Sequence, residues 1–156
     1  GLAITEAIKT ILLIEFFSAS LTALTPLSIM IVLSLIPLYY FNFKKSQKVF
    51  LGDSGSLLLG TIISIYIFYV LGNEYQFKEN FQSNKTLFAV LIILYPLVDL
   101  LRVFILRIKN GKSPFEADNN HLHHLLINKN QSHVKSIIII QFISIFIVLF
   151  NMCLIT

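Results

Sequence analysis

Long apolar stretches alternate with short polar connectors along this chain of 156 residues. Three stretches contain no charged residue, and each is long enough for a helix to cross the apolar core of a bilayer, which takes about 20 residues. These stretches are 16–43, 54–73 and 136–156. The periodicity predicts five helical segments, with a break after the first near Pro26, because the residue before a proline resists the helical conformation. The five segments are 3–20, 22–41, 53–72, 86–108 and 136–156.

The composition excludes a soluble domain. Hydrophobic residues make up 56% of the chain and charged residues only 13%, which is more apolar surface than a globule of this size can bury. The predicted fold class is an all-α, polytopic integral membrane helix bundle with about five transmembrane helices, formed as a single domain over residues 1–156. The single Cys153 leaves no disulfide framework and no cysteine-based metal site. The net charge of +4 is modest, and we expect no nucleic-acid partner.

The lysine and arginine residues predict the orientation of the chain in the membrane. Loops 42–52 and 109–135 are rich in lysine, whereas in loop 73–85 two lysines are offset by two glutamates. Because basic loops stay in the cytoplasm, we expect the first two loops to be cytoplasmic and loop 73–85 to be external. The polar motifs near residue 53 and within 109–135 then face the same side of the membrane.

The stretch "GDSGS" at residues 52–56 stands at the start of the third predicted helix. In one interpretation Asp53 or Ser54 caps that helix and the glycines form the turn before it. In the other, Asp53 is a hard oxygen ligand for Mg²⁺, and Gly52 lets a phosphate approach the backbone N–H groups. Ser54 fits either interpretation, as a cap or as a phosphate contact.

Two charged residues, Asp99 and Arg102, fall inside the fourth predicted helix, about one turn apart. At this spacing the two side chains can pair on one face of the helix. Charges within a membrane span are costly and face a partner or a wet cavity. The pair is typical of an ion pair that supports a site from inside a bundle, and the positions also permit a direct catalytic role.

Three histidines, His121, His123 and His124, lie in loop 109–135 shortly after Asp118. One interpretation is a zinc site with Asp118, His121 and His124 as ligands. A second is that the histidines bind a diphosphate or transfer protons near neutral pH, and a third is an ordinary solvated loop.

Arg107 and Lys112 flank this loop and would attract an anionic substrate, although the same residues also fit the general bias of cytoplasmic loops.

The resemblance to a known family rests on three stretches, "KVFLGDSGSLLLG", "YPLVDLLRVFILRI" and "GKSPFEADNNHLHHLL". In order and spacing they resemble the C-terminal half of the polyprenyl-phosphate N-acetylhexosamine-1-phosphate transferases, membrane enzymes of glycosyltransferase family 4. The opening "GLA" resembles the end of an Asn- and Asp-rich motif of that family. The "HLHHLL" ending resembles the branch that uses UDP-GlcNAc more closely than the branch that uses UDP-MurNAc-pentapeptide.

The resemblance implies a reaction at the cytoplasmic face of a bacterial inner membrane. A polyprenyl phosphate, usually undecaprenyl phosphate, attacks the β-phosphate of a UDP-sugar and releases UMP. The product is the lipid-diphosphate-sugar that starts the synthesis of a cell-envelope polysaccharide such as lipopolysaccharide or teichoic acid. The resemblance further implies a Mg²⁺ cofactor, with Mn²⁺ as a substitute, and it allows a homodimer.

The resemblance also assigns roles to residues. Asp53 matches the metal-binding aspartate of the family, and Phe50 matches an aromatic residue that stacks on uracil. The residues implied in catalysis are Asp53, His121, His123 and His124. The residues implied in substrate binding are Phe50, Gly52, Ser54, Arg107, Lys112 and Asp118. Asp99 and Arg102 are expected to support the site.

Two features of that family, an Asp-Asp motif and the aspartates before "GLA", do not occur in this sequence. We therefore expect the 156 residues to hold about half of the site and to be inactive alone. The competing hypothesis from another class is a transporter segment in which Asp99, Arg102 and the histidines relay protons. A zinc-dependent membrane hydrolase is the third hypothesis.

Overall fold

The chain folds into helices, which confirms the predicted all-α class. The computed structural model describes residues 1–44, 49–81, 83–111, 113 and 133–154. The helices are α1 (Leu2–Phe17), α2 (Thr25–Phe43), α3 (Gly52–Leu71), α4 (Lys85–Ile92), α5 (Leu94–Lys109) and α6 (His133–Leu154). Within these described ranges the only β-type pairing is an isolated bridge between Ser18 and Phe77.

Helix α1 lies at the centre of the bundle and contacts α2, α3 and α6. Nine of its 16 residues are buried, including the charged Glu6 and Lys9. At 1.5 Å per residue, 16 residues reach about 24 Å, which is short of the roughly 30 Å of a bilayer core. The first predicted segment is therefore a buried central helix and does not have the length of a span.

Helices α2, α3 and α6 are long and apolar enough to cross a membrane, and most of their surface is exposed. A fourth span exists if the bent pair α4–α5 counts as one. The described residues thus provide three or four candidate spans, fewer than the five expected. The predicted span that is missing is α1, because its charged residues and its short length suit the interior of the bundle.

The fourth predicted segment, expected as one helix over 86–108, is wrong in one respect: it forms two helices bent by 62° at Ile93. Pro96 contributes to this break, because it has no N–H and cannot donate to the carbonyl of Ile92 four residues earlier. The helical bonds resume beyond it, with the N–H of Leu97 donating to the carbonyl of Ile93 at 3.1 Å. The bend sends α5 in a different direction from α4.

Residues 73–81 fold back over the end of α1, where the largest part of the described core lies. The Tyr75 ring is buried, and its hydroxyl donates to the carbonyl of Ile14 at 2.9 Å. Burial raises the pKa of the Tyr75 hydroxyl, and the nearby Glu15 carboxylate and Tyr69 raise it further. Tyr75 therefore remains a neutral donor and fixes the loop to α1.

Candidate functional site

The "GDSGS" stretch forms the first turn of α3. Gly52 has a φ of +69°, a left-handed conformation that glycine adopts without strain. The N-cap is Leu51, and no side chain caps the helix. The prediction that Asp53 or Ser54 is the cap is therefore wrong, because the left-handed turn at Gly52 starts the helix one residue before Asp53.

The side chains at this helix start point into solvent. Asp53 and Ser54 are exposed, and the Phe50 ring is 79% exposed. Ser56 donates its hydroxyl to the carbonyl of Gly52 at 3.0 Å. Because no side chain caps α3, the N–H groups of its first turn stay available, and the helix dipole favours an anion there.

The Asp53 carboxylate fits a Mg²⁺ ligand in one respect: it makes no hydrogen bond or ion pair within the part of the chain that the structure describes. In that same part, no three His, Cys, Asp or Glu residues come together in a way that could hold a metal ion. Mg²⁺ commonly takes one or two protein carboxylates and completes its shell with substrate phosphates and water. A single aspartate therefore suits a shared Mg²⁺ site better than an all-protein one.

A cavity of about 610 Å³ opens between α1, α3 and α5, and we name it the α1–α3–α5 cavity. Its walls are mostly apolar, and its polar lining includes Glu6, Ser56, Asp99 and Arg107. Ser56 lies one turn from Gly52, so the cavity begins beside the start of α3. Its volume is within the range of small-molecule binding sites.

The predicted ion pair of α5 is present. The guanidinium of Arg102 donates to the Asp99 carboxylate at 3.1 Å, and Asp99 is buried. Arg107 lies five residues after Arg102 and lines the same cavity as Asp99. The role of these residues in supporting a site stays a prediction.

The remaining predicted residues lie outside the described part of the chain. They are Lys112, Asp118, His121, His123 and His124. Whether the histidines join Asp53 therefore stays a prediction, as do the zinc and diphosphate interpretations of this loop.

The sequence interpretation missed a second polar centre inside the bundle. The Lys9 ammonium donates to the Glu6 carboxylate at 2.6 Å, to the carbonyl of Ile92 at 3.1 Å and to the hydroxyl of Ser144 at 2.9 Å. The Gln141 amide donates to the other Glu6 oxygen at 2.7 Å. We call these five residues the Lys9 cluster. The available signal was a pair of opposite charges three residues apart in an apolar helix, which is the same pattern as Asp99 and Arg102.

Comparison with known proteins gives one family. Residues 1–71 match the family described as glycosyl transferase family 4. The chain is 32% identical over 122 residues to the undecaprenyl-phosphate alpha-N-acetylglucosaminyl 1-phosphate transferase of Haemophilus influenzae, covering 75% of this chain and 32% of that protein. It is 34% identical over 104 residues to the decaprenyl-phosphate N-acetylglucosaminephosphotransferase of Mycobacterium tuberculosis, covering 64% of this chain and 26% of that protein.

A third relative, the undecaprenyl-phosphate alpha-N-acetylglucosaminyl 1-phosphate transferase of Escherichia coli, is 32% identical over 96 residues, which cover 62% of this chain and 24% of that protein. The chain spans about a third of the length of the first curated relatives that it matches. No solved structure matches it significantly.

Proposed function

Since the chain belongs to glycosyl transferase family 4, we propose that it forms part of a membrane enzyme that transfers N-acetylglucosamine 1-phosphate to a polyprenyl phosphate. A phosphate oxygen of the lipid attacks the β-phosphorus of UDP-GlcNAc and forms a new P–O bond. The bond from that phosphorus to the oxygen bridging it to the α-phosphorus breaks, and UMP leaves. None of the relatives named above is described as a transporter or a hydrolase.

The single observation that carries this proposal is the α1–α3–α5 cavity, because it joins two different environments. Its apolar walls suit the isoprenoid chain of a lipid that stays in the membrane. Two of its polar lining residues are Ser56, near the start of α3, and Arg107, in the last turn of α5, so one end of the cavity lies beside the uncapped start of α3. A lipid phosphate at that end would meet a fixed positive charge and free N–H groups.

The donor nucleotide is assigned to the exposed side of the same corner. Phe50 offers an unobstructed ring face for stacking on uracil. Asp53 holds Mg²⁺, or Mn²⁺ in its place, and Ser54 and the N–H groups of the first turn of α3 face the diphosphate. When bound, the metal neutralises the negative charge of the two reacting phosphates. Gly52 keeps this approach open because it has no side chain.

The long polar loop completes the site in this proposal. His121, His123 and His124 face the sugar diphosphate, where they bind it or transfer a proton, and Asp118 and Lys112 contact the substrate. The site faces the cytoplasm of a bacterial inner membrane, since the proposed groups lie in, or within a few residues of, the basic loops 42–52 and 109–135. A homodimer and the lack of a nucleic-acid partner stay predictions.

The test uses the full-length protein as its gene encodes it, reconstituted in proteoliposomes with undecaprenyl phosphate. Release of UMP from UDP-GlcNAc is measured with and without Mg²⁺. We expect Asp53→Asn to lower the rate about 100-fold, because it removes the metal ligand. Glu79→Gln, a matched change of an exposed carboxylate in loop 73–85, should leave the rate unchanged. Equal rates for both variants would overturn the assignment of Asp53.

A further inference from the structure

Pro96, just after the bend between α4 and α5, leaves the carbonyl of Ile92 without its helical donor. In a continuous helix the carbonyl of Ile92 would accept from the N–H of residue 96. Residue 96 is a proline, so this donor does not exist. The Lys9 ammonium of α1 donates to this carbonyl instead, at 3.1 Å. A side chain of one helix thus supplies the bond that another helix lacks at its bend.

Lys9 is suited to fix this bend because all its donors are used. An ammonium has three N–H groups, and its three acceptors here belong to Glu6, Ile92 and Ser144. The side chain is only 3% exposed. Since Glu6 is on α1, Ile92 ends α4 and Ser144 is on α6, the ammonium is held from three directions.

General stability does not require such a cluster. Replacing a buried ion pair with apolar side chains of similar volume is often neutral or stabilising. An apolar side chain, however, has no directional bond to offer to one particular carbonyl. The distinctive contribution of Lys9 is therefore the geometry of the α4–α5 bend.

A small change of this bend has a large effect at the far end of α5. Arg107 lies fifteen residues beyond Ile92, which is about 22 Å along a helix. A rotation of about 10° at the bend would move Arg107 by about 4 Å, and a misplacement of about 1 Å can cost an enzyme about 100-fold in rate. Asp99 and Arg107, both on α5, line the cavity opposite Ser56 of α3.

From these contacts we infer that Lys9 is a positioning residue. By replacing the donor that Pro96 lacks, it holds α5 at its observed angle and sets the width of the α1–α3–α5 cavity. The consequence for catalysis rests on the proposed function, whereas the consequence for geometry does not.

The geometric test measures the distance between spin labels on α3 and α5 in the full-length protein in lipid nanodiscs. The labels are placed at the exposed positions Leu58 and Lys109, with every native cysteine, including Cys153, replaced by alanine. In Glu6→Gln/Lys9→Met, which removes both charges together, we expect the distance distribution to shift or broaden by several ångströms. An unchanged distribution would overturn the inference.

The matched control is Lys85→Met. Lys85 also donates to a backbone carbonyl at a helix end, that of Gly72 at 2.6 Å, but it begins α4, seven residues before Ile92. Its loss should leave the label distance and the rate unchanged. An equal shift in this control would show a general loosening of the bundle and would also overturn the inference.

A second variant covers the case in which the first does not fold. Glu6→Gln/Lys9→Gln keeps two polar groups that can bond to each other and to Gln141, but its side chain at position 9 is one bond shorter than lysine. We expect the same broadening here, and an unchanged distance would contradict the inference.

The kinetic test uses whichever variant folds. The kcat for UMP release should fall about tenfold, while KM for UDP-GlcNAc stays within about twofold, because α5 does not bind the nucleotide in this proposal. A changed distance with no transferase activity in the unmodified protein would instead contradict only the proposed function.

Discussion

Two charged residues, Asp53 and Lys9, have opposite surroundings. Asp53 is exposed and makes no hydrogen bond within the described ranges, whereas Lys9 is buried and uses all three of its donors. A group with open bonding positions can act on a ligand, but a group whose positions are filled can only hold the protein around it. The comparison separates a residue that meets substrate from one that shapes the site, and four predictions test it.

The largest expected effect is on stability and follows from Lys9→Met alone. This change leaves the Glu6 carboxylate buried without its cation, which should lower the free energy of unfolding by about 3–5 kcal/mol. The double variant Glu6→Gln/Lys9→Met should recover most of that loss. Thermal melting in detergent measures both, and equal melting temperatures for the single and double variants would contradict the buried pair.

Asp53→Asn should show the reverse pattern. The variant is expected to lose about 100-fold in the rate of UMP release. Because Asp53 is exposed, the free energy of unfolding should change by less than about 0.5 kcal/mol. Melting and activity are measured on the same preparation. A clear loss of stability would mean that Asp53 supports the start of α3, and the comparison with Lys9 would fail.

A smaller effect is expected at the other end of α1, where the Glu15 carboxylate accepts from the hydroxyls of Thr22, Thr25 and Ser28 at 2.6–3.0 Å. Glu15→Gln keeps only one accepting oxygen and should cost about 1–2 kcal/mol of unfolding free energy. This cluster joins α1 to α2 and, through the bond between Ser28 and Tyr66, to α3, and none of its described hydrogen bonds reaches α5. The label distance between α3 and α5 should therefore not change. A shift of that distance would show that Lys9 is not special in setting the angle of α5.

The smallest effect is expected for Tyr75→Phe, which removes one hydrogen bond to α1 and should cost about 1 kcal/mol. Because the pKa of Tyr75 is raised, the folded state keeps the Tyr75 proton up to a higher pH than the unfolded state does. Its contribution to stability is therefore complete below about pH 10 and is lost as the pH rises further. Between pH 8 and 11 the melting temperature should fall less steeply with rising pH for the variant than for the unmodified protein. Identical slopes would contradict this assignment.

The apolar pattern was enough to predict the helices, but it did not predict the bend at Ile93. The sequence contains two prolines in similar settings, Pro37 and Pro96. Helix α2 continues through Pro37, whereas the α4–α5 segment breaks ahead of Pro96. The presence of a proline thus does not determine the outcome. The carbonyl of Ile92, which Pro96 leaves without its helical donor, accepts a hydrogen bond from Lys9, which lies more than eighty residues away in sequence.

The candidate site was predictable only where it depends on local sequence. The "GDSGS" stretch can be recognised in the sequence without knowledge of the fold, and the spacing of Asp99 and Arg102 predicts their ion pair. The cavity between α1, α3 and α5 has no such local signal, because its walls come from three separate parts of the chain. The spacing of Glu6 and Lys9 likewise indicates their ion pair, but the bond from Lys9 to Ile92 has no local signal, since its acceptor is a backbone carbonyl, which every residue has.

The 62° bend of α4–α5 also affects the shape that the protein presents to the bilayer. If the pair crosses as one span, at least one arm is inclined to the membrane normal by at least half of that angle. An inclined helix occupies more area in its own leaflet than an upright one, so the cross-sectional area of the protein differs between the two leaflets. The insertion energy then depends on the difference in lateral pressure between the leaflets, and lipids with small or large headgroups should shift it in opposite directions.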